Sequence, residues 1–283
     1  MKAFQTIMNL QLNIGGNEMT HNWLEIEHKV IIVTGGTSGI GRQIVNSLLE
    51  NGAIVYNVDL KDDPINNKNY SFIQTDVTNE EAVQSTVHRI IEEQSQIDVL
   101  INNAGINLPR LLVDVKGEKP EYEINIKDLD LMFGVNLKGP ILFSQEVSRQ
   151  FVKQNKGVIV NISSEAGQEG SEGQSIYSAT KAALIGFTRS WAKELGKYNI
   201  KVVAIAPGIL EETGLRTKQY EEALAYSRNT TVDKLNGDYS KSIPLSRVGG
   251  LSEVADLVCY LSSDRSSYIT GTTINISGGK SRG

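Results

Sequence analysis

The amino-acid sequence predicts an α/β fold in which seven parallel strands alternate with helices. Seven short β-branched runs recur along the 283-residue chain, and longer segments with helical periodicity separate most of them. The runs are nearly continuously apolar, which is typical of strands that helices cover on both faces. These observations favour a Rossmann-type, doubly wound parallel sheet in a single domain, at a length that one hydrophobic core can serve.

The predicted strands follow one another from residue 30 to residue 277. In chain order they are VIIVTG (30–35), IVYNVD (54–59), SFIQTD (71–76), VLINNA (99–104), VIVNIS (158–163), KVVAIA (201–206) and TTINIS (272–277). Segments 107–126 and 208–250 interrupt the alternation with mixed charge, proline and glycine. Because ligands of such sheets bind beyond the carboxyl ends of the strands, we interpret both segments as insertions that contribute to a substrate site.

The N-terminal segment differs in character from the rest of the chain. It lacks the apolar core of a signal peptide, and no segment of the sequence approaches the ~20 apolar residues of a membrane span. We expect residues 1–24 to form a flexible extension and residues 25–283 to form the folded domain. Cys259 is the only cysteine and lies in an apolar helical stripe, which indicates a packed thiol in a reducing compartment. These features predict a cytoplasmic protein.

Composition narrows the range of partners. The formal net charge is −5, from 28 basic and 33 acidic residues without long basic runs. This balance gives no electrostatic footprint for nucleic acid or an anionic membrane, and it favours small-molecule chemistry. The three histidines, His21, His28 and His88, lie outside every motif, which argues against zinc or histidine-based chemistry.

A glycine-rich stretch, VTGGTSGIGRQIV (33–45), joins the first strand to the first helix. Gly35, Gly39 and Gly41 let a ligand approach the backbone where the helix N-terminus presents unpaired N–H groups and partial positive charge. A pyrophosphate fits such a site, and the strand-to-helix context favours a dinucleotide. The residues of this loop that we expect to bind it are Gly35, Thr37, Ser38, Gly39, Ile40 and Gly41.

Aspartates end the next two strands. Asp59 can accept hydrogen bonds from the adenosine ribose and repel a 2′-phosphate, which favours NAD over NADP. A solvated aspartate at a strand end is the alternative. The glycine loop carries no basic residue before the helix begins, so an obvious partner for a 2′-phosphate is missing. Asp76 ends strand three, and we expect it and the adjacent Val77 to contact the adenine.

Polar residues also follow the fourth and fifth strands. NNAG (102–105) ends strand four, and Ser164 comes just after strand five. Tyr177 lies thirteen residues later, and Lys181 lies one helical turn beyond it, so the two side chains share a helix face. A phenol is a poor base at neutral pH, but a nearby ammonium favours its ionised form. Such a pair is suited to removing a proton from an alcohol without a metal.

Over about residues 25–280 these motifs, in this order and spacing, resemble the short-chain dehydrogenase/reductase family. The match consists of TGGTSGIG, Asp59, NNAG, the asparagine of GVNLKG, Ser164, YSATK and the PG at 207–208. The resemblance implies that Tyr177 is the acid–base residue, that Ser164 orients the substrate oxygen and that Asn136 supports a water-linked proton relay. It implies that Lys181 lowers the pKa of the tyrosine and holds the nicotinamide ribose. Further implied contacts of NAD are Asn103, Ala104, Gly105, Tyr177, Pro207, Gly208, Ile209 and Thr213.

The stretches NLPRLLVD, SSEAGQEGSEGQS, PGILEETGLRT, YEEALAYSRN and GGKSRG resemble bacterial members of this family that act on polyol phosphates. The resemblance implies reversible oxidation of D-glucitol 6-phosphate at C2 to fructose 6-phosphate, and a homotetramer. A phosphate dianion requires guanidinium or ammonium partners. The candidates for the substrate site are Arg110, Arg216, Lys218 and Arg228, with Glu165 as an acceptor for polyol hydroxyls and with Lys280 and Arg282 as further cations.

Two other functions stay open at this point. One is an NADP-linked reductase of ketone or acyl substrates on the same fold, which Asp59 disfavours. The other is a protein that senses a dinucleotide without catalysis, which the intact set of Ser164, Tyr177 and Lys181 disfavours.

Overall fold

The computed structural model describes residues 23–214, 216–235 and 239–281. The strands are β1 Val30–Thr34, β2 Ile54–Asp59, β3 Tyr70–Gln74, β4 Val99–Asn102, β5 Gly157–Ile162, β6 Ile200–Pro207 and β7 Thr273–Ile276. All pairings among them are parallel, and the strand order is β3-β2-β1-β4-β5-β6-β7. The predicted seven-stranded, doubly wound sheet is therefore confirmed.

Helices connect successive strands. Within the described ranges they are α1 Gly39–Glu50, α2 Glu80–Gln94, α3 Ile126–Phe133, α4 Gly139–Gln154, α5 Ala166–Glu169, α6 Ser175–Leu195, α7 Lys218–Ser227, α8 Val232–Leu235 and α9 Leu251–Ser262. None of the helices in this part of the chain is both long enough and apolar enough to cross a membrane.

Two apolar layers hold the helices against the sheet. On one face, side chains of α1 and α9 such as Leu48 and Val258 pack against the strands. On the other face, α2, α4 and α6 bury side chains that include Val87 and Phe143. Cys259 belongs to the first layer and is 2% exposed, and burial raises the pKa of its thiol to about 12. The predicted packed thiol is confirmed.

The strand order reverses between β1 and β4, which pair with each other. Crossover connections leave β1 and β4 in opposite directions along the sheet, so a crevice opens beyond their carboxyl ends. The loops after β1, β2, β4, β5 and β6 all emerge at this edge because the strands are parallel. The predicted glycine loop, NNAG and Ser164 are on these loops.

The two insertions meet on the outer side of this crevice. Segment 107–126 carries a short 3₁₀ turn at Pro120–Tyr122, and α7 and α8 lie within 208–250. The Tyr226 hydroxyl contacts both carboxylate oxygens of Asp114 at 2.9 Å. Lys116 Nζ donates to Asn229 Oδ1 at 2.7 Å. These contacts join one insertion to the other.

Residues 1–22 of the predicted extension lie outside the described residues, as does Arg282. Trp23 stacks on Tyr260 of α9, with 6.1 Å between ring centroids. Leu24 is 9% exposed and belongs to the apolar layer of α1 and α9. The chain therefore contacts the core from the first described residues onward.

Candidate active site

A cavity of about 620 Å³ lies at the carboxyl ends of the strands. Its wall contains most of the residues that the sequence predicts for the cofactor and the chemistry. These are Gly35, Ser38, Gly39, Ile40, Gly41, Asp59, Asp76, Val77, Asn103, Ala104, Gly105, Ser164, Tyr177, Lys181, Pro207, Gly208, Ile209 and Thr213.

The backbone of the glycine loop lies close to the loop after β4 and to the start of α1. Gly35 has φ +66°, and a Cβ placed there would lie 2.8 Å from Ala104 Cα. A Cβ on Gly41 would collide with the carbonyl oxygen of Gly35. Ser38 precedes α1 without a side-chain capping hydrogen bond, so the hydroxyl leaves the first N–H groups of the helix free for an anion.

Hydrogen bonds at the reversal of strand order join the glycine loop to NNAG. Thr34 Oγ1 accepts from the backbone N–H groups of Asn103 and Ala104, both at 3.1 Å. The Asn103 amide donates to the carbonyl oxygens of Thr34 and Gly35 at 3.0 and 2.8 Å. Asn103 therefore lines the cavity while its side chain fixes the loop after β1.

Asp59 faces the cavity from the end of β2. Its carboxylate accepts from Thr37 N at 3.1 Å and from Leu60 N at 2.7 Å. A carboxylate has about four acceptor sites, so it retains capacity for a ribose diol. Thr37, in contrast, is not in the cavity wall, because its hydroxyl donates to Lys61 O at 2.8 Å. The direct cofactor contact predicted for Thr37 is replaced by a role in holding the loop against β2.

Ser164 and Tyr177 meet in the cavity. Burial of the Tyr177 hydroxyl raises its pKa to about 12, although a side-chain hydrogen bond with Ser164 acts in the opposite direction. Tyr177 is on α6 and Ser164 follows β5, so the junction of sheet and helix sets their proximity. The phenol is held in its protonated form at neutral pH.

Lys181 is 4% exposed and its Nζ donates to Ile162 O at 2.8 Å. Burial lowers the pKa of this ammonium to about 8. Nζ lies 5.7 Å from the centroid of the Tyr177 ring. Burial raises the pKa of Tyr177 and the hydrogen bond with Ser164 lowers it, and the effect predicted for the Lys181 charge stays a prediction.

Asn136 lies behind this site in a widened helical turn. A π-helical segment, Gly134–Lys138, separates α3 from α4, and such turns are frequent at functional sites. The Asn136 side chain accepts from Ile106 N at 2.8 Å and donates to Ile106 O at 2.9 Å and to Thr180 Oγ1 at 3.1 Å. It is fully buried and outside the cavity wall, so its side chain positions the segment after NNAG.

Two arginine side chains reach the cavity. Arg216 and Arg228 line the wall, and both act electrostatically on Tyr220. Arg216 Nη2 lies 3.3 Å from Glu221, while Arg228 Nη2 donates to Ser171 Oγ at 3.0 Å. Arg216, Arg228 and Tyr220 line the same cavity as Tyr177, and Tyr220 acts electrostatically on Tyr177.

Glu165 lines the cavity next to Ser164 and is paired with the C-terminal segment. Its carboxylate accepts from Lys280 Nζ at 2.6 Å and from Ser281 Oγ at 3.0 Å. Lys280 is also in the cavity wall. The pair places one carboxylate and one ammonium at the same edge of the cavity.

Two of the cations predicted for the substrate are not in the cavity wall. Arg110 Nε and Nη2 both contact Asp128 Oδ2, at 2.7 and 2.6 Å, and Nη1 donates to Pro109 O at 2.7 Å, so the guanidinium already has partners. Lys218 is 89% exposed and lies 3.8 Å from Glu222 on the same helix. Arg216 and Arg228 are therefore better placed than Arg110 and Lys218 to meet a ligand in the cavity.

Sequence reasoning did not identify Gln174 and Tyr220, which both line the cavity. Gln174 is the N-cap residue of α6, three residues before Tyr177, so it lies at the end of the helix that carries the reactive phenol. Tyr220 is in the first turn of α7, which Thr217 caps by accepting from Tyr220 N at 3.2 Å. Tyr220 has no such spacing from any of the motifs, so no sequence pattern indicated it.

The residues present fit a dinucleotide. The cavity extends from the bare backbone of Gly35 and Gly39, past Asp59, to Tyr177 and Lys181. Thr213 lies against the glycine loop, since a Cβ added to Gly39 would be 3.3 Å from the Thr213 Cβ. Anion-binding N–H groups are at one end and the reactive phenol is at the other. Among the described residues, there is no cluster of three or more His, Cys, Asp or Glu side chains suited to a metal.

A family model described as short chain dehydrogenase matches residues 29–224, and the chain belongs to this family. It is therefore an oxidoreductase that uses a nicotinamide dinucleotide.

Among individual proteins, sorbitol-6-phosphate 2-dehydrogenase of Klebsiella pneumoniae is 58% identical over 266 residues, which are 93% of this chain and 100% of that protein.

Solved structures show the same fold. Ligand-free aldohexose dehydrogenase from Thermoplasma acidophilum has a TM-score of 0.78 at 29% identity, over 91% of this chain and 96% of that chain. The 3-ketoacyl-(acyl-carrier-protein) reductase from Brucella melitensis, complexed with NADH, has a TM-score of 0.76 at 26% identity, over 90% and 99% of the two chains.

The close approach at Gly41 generates a prediction. Gly41→Ala places a methyl group against the Gly35 carbonyl and displaces the loop, so we expect NADH affinity to fall at least about tenfold, or ~1.4 kcal/mol. Fluorescence titration with NADH measures the change. Gly186→Ala is the matched control, because a Cβ there meets nothing within 4 Å and alanine favours the helix. Equal NADH affinity in the two variants would contradict the predicted close approach.

Proposed function

We propose that the protein catalyses the reversible NAD-dependent oxidation of D-glucitol 6-phosphate at C2 to fructose 6-phosphate, with Tyr177 as general base. The observation that carries the proposal is the meeting of Ser164, Tyr177 and Lys181 in one cavity with Asp59. The similarity to a sorbitol-6-phosphate 2-dehydrogenase supports the choice of substrate.

The proposed proton transfer uses groups of this chain. Ser164 holds the C2 hydroxyl and Tyr177 removes its proton, while the nicotinamide cofactor, when bound, accepts the hydride from the same carbon. Lys181 supplies positive charge beside the phenol, and its ammonium is fixed by Ile162 O. Asn136 positions the segment after NNAG through both polar atoms of its amide.

Substrate recognition rests on the cations at the outer end of the cavity. Arg216 and Arg228 line the same cavity as Tyr177, and both act electrostatically on Tyr220. Guanidinium groups bind phosphate oxygens through charge-assisted hydrogen bonds. Lys280 is the alternative cation, although Glu165 already neutralises it.

The choice of NAD over NADP rests on Asp59. A 2′-phosphate on the adenosine ribose would approach a carboxylate whose local partners are the backbone N–H groups of Thr37 and Leu60. This arrangement disfavours an NADP-linked ketone or acyl reductase. We also propose that the protein is cytoplasmic and forms a homotetramer, in keeping with the exposed apolar side chains of Leu131, Phe133 and Ile141 on α3 and α4.

Replacing the phenol tests the chemistry. Tyr177→Phe removes the oxygen that transfers the proton but keeps the ring, so we expect the oxidation rate to fall at least about a hundredfold, or ~2.7 kcal/mol, with NADH affinity unchanged. For wild type, a tyrosine pKa of about 12 means that raising the pH towards 10 increases the reactive phenolate and accelerates oxidation. Fructose 6-phosphate reduction needs the protonated phenol and gains nothing from that increase. Retention of more than a hundredth of wild-type activity would refute the base assignment.

Replacing Asp59 tests cofactor choice. Asp59→Ala removes the acceptor and the negative charge, so we expect NAD binding to weaken by roughly 2–4 kcal/mol while NADP turnover rises. Asp59→Asn, which keeps one acceptor oxygen, separates the loss of charge from the loss of hydrogen bonds. The measurement is kcat/KM with each cofactor. Wild-type enzyme that used both cofactors equally would show that Asp59 does not discriminate.

The phosphate is tested with matched polyols. We expect kcat/KM for D-glucitol 6-phosphate to exceed that for D-glucitol by at least about a hundredfold, or ~2.7 kcal/mol. Arg216→Met should lower only the value for the phosphorylated polyol, because it removes a cation from the cavity wall. Arg228→Met should lower that value more than the value for D-glucitol, because Arg228 is a cation of the wall and also bonds Ser171. Lys218→Met is the control, since Lys218 is exposed outside the cavity. If both arginine variants discriminate as wild type does, Lys280→Met becomes the next measurement.

A further inference from the structure

A chain of hydrogen bonds follows the cavity wall from Arg228 to Tyr220. Arg228 Nη2 donates to Ser171 Oγ at 3.0 Å, and Ser171 Oγ donates to Gln174 Oε1 at 2.6 Å. Gln174 Nε2 then donates to the Tyr220 hydroxyl at 2.7 Å. Gln174 is 7% exposed, so its amide lies in a largely dry environment where unmade hydrogen bonds are costly.

The donors in this chain point from Arg228 towards Tyr220. A guanidinium only donates, so Ser171 accepts from it, and the Ser171 hydroxyl donates its own proton to Gln174. The amide oxygen of Gln174 is thereby occupied, and its NH₂ group is directed at the Tyr220 oxygen. The Tyr220 hydroxyl accepts one hydrogen bond, and within the described ranges its own proton has no acceptor.

The position of Tyr220 indicates where this proton goes. Tyr220 is in the cavity wall, and its hydroxyl is close enough to Tyr177 to act on it electrostatically. We propose that Tyr220 donates a hydrogen bond to an oxygen of the substrate next to the reacting carbon, with Gln174 and Ser171 as the residues that set its direction. The matching substrate group is an acceptor, namely a hydroxyl or carbonyl oxygen. This assignment rests on the proposed oxidation of a polyol phosphate.

Removing the phenolic oxygen is the first test. Tyr220→Phe should lower kcat/KM for D-glucitol 6-phosphate about tenfold, while KM for NAD and the melting temperature stay near the wild-type values. Tyr226→Phe is the matched control on the same helix, because the Tyr226 hydroxyl is already bonded to Asp114 outside the cavity wall. It should lower the melting temperature and leave kcat/KM within about threefold. A Tyr220→Phe enzyme with kcat/KM within about twofold of wild type would overturn the proposal.

Reversing one hydrogen bond is the second test. In Gln174→Glu the carboxylate offers no donor, so the Tyr220 proton turns towards residue 174 and leaves the substrate. We expect a loss of about tenfold in wild type and of less than about twofold when Tyr220→Phe is already present. A purely structural role, or repulsion between the new charge and the phosphate, would give the same loss in both backgrounds and would overturn the proposal.

Wild-type activity separates this proposal from the proposed function. The assay panel is D-glucitol 6-phosphate, ribitol and a 3-hydroxybutanoyl thioester. If wild type oxidises only one of the other alcohols, the proposed substrate is wrong, and the same variants assayed with that alcohol decide the role of Tyr220. A wild type that oxidises none of the three overturns both proposals.

Discussion

The site depends on the hydrogen bonds that join the ends of β1 and β4. The Thr34 hydroxyl accepts two backbone N–H groups from the loop after β4, and the Asn103 amide reaches back to two carbonyl oxygens after β1. β1 and β4 are paired neighbours, but the connections that follow them leave towards opposite halves of the sheet, so these hydrogen bonds hold the two loops together beyond the paired residues. These bonds hold the glycine backbone and NNAG as one surface, on which the rest of the cavity is assembled.

Burial disfavours the charged form of both reactive groups. It raises the pKa of Tyr177 to about 12 and lowers that of Lys181 to about 8, so the dry site disfavours both the phenolate and the ammonium. Ser164 and Ile162 O offset part of this cost through hydrogen bonds. The geometry thus keeps a proton on the phenol in the resting protein and places polar partners where charge forms.

The sequence predicted the strands and the motifs of the site better than it predicted which residues of the insertions line the cavity. Strand runs and motifs located the cavity because continuous apolar runs and glycine spacing are local properties. Arg110 and Lys218, predicted as partners of a phosphate, lie outside the cavity wall, because the folded chain brings Asp128 to Arg110 and leaves Lys218 in solvent. Thr37 holds the loop against β2 through contacts with residues more than twenty positions away. Tyr220 was not predicted, because its position in the cavity depends on how the second insertion, 208–250, folds.

The directed hydrogen-bond chain from Arg228 has a consequence for selectivity. In this chain each group donates to the next, so the proton of Tyr220 is left at the far end. An amino sugar whose ammonium replaced the matching hydroxyl would bring donor against donor, with a buried proton left without an acceptor on each side. With Tyr220 in its proposed role, the wall would discriminate between oxygen and nitrogen substituents of similar size through the orientation of protons rather than through shape.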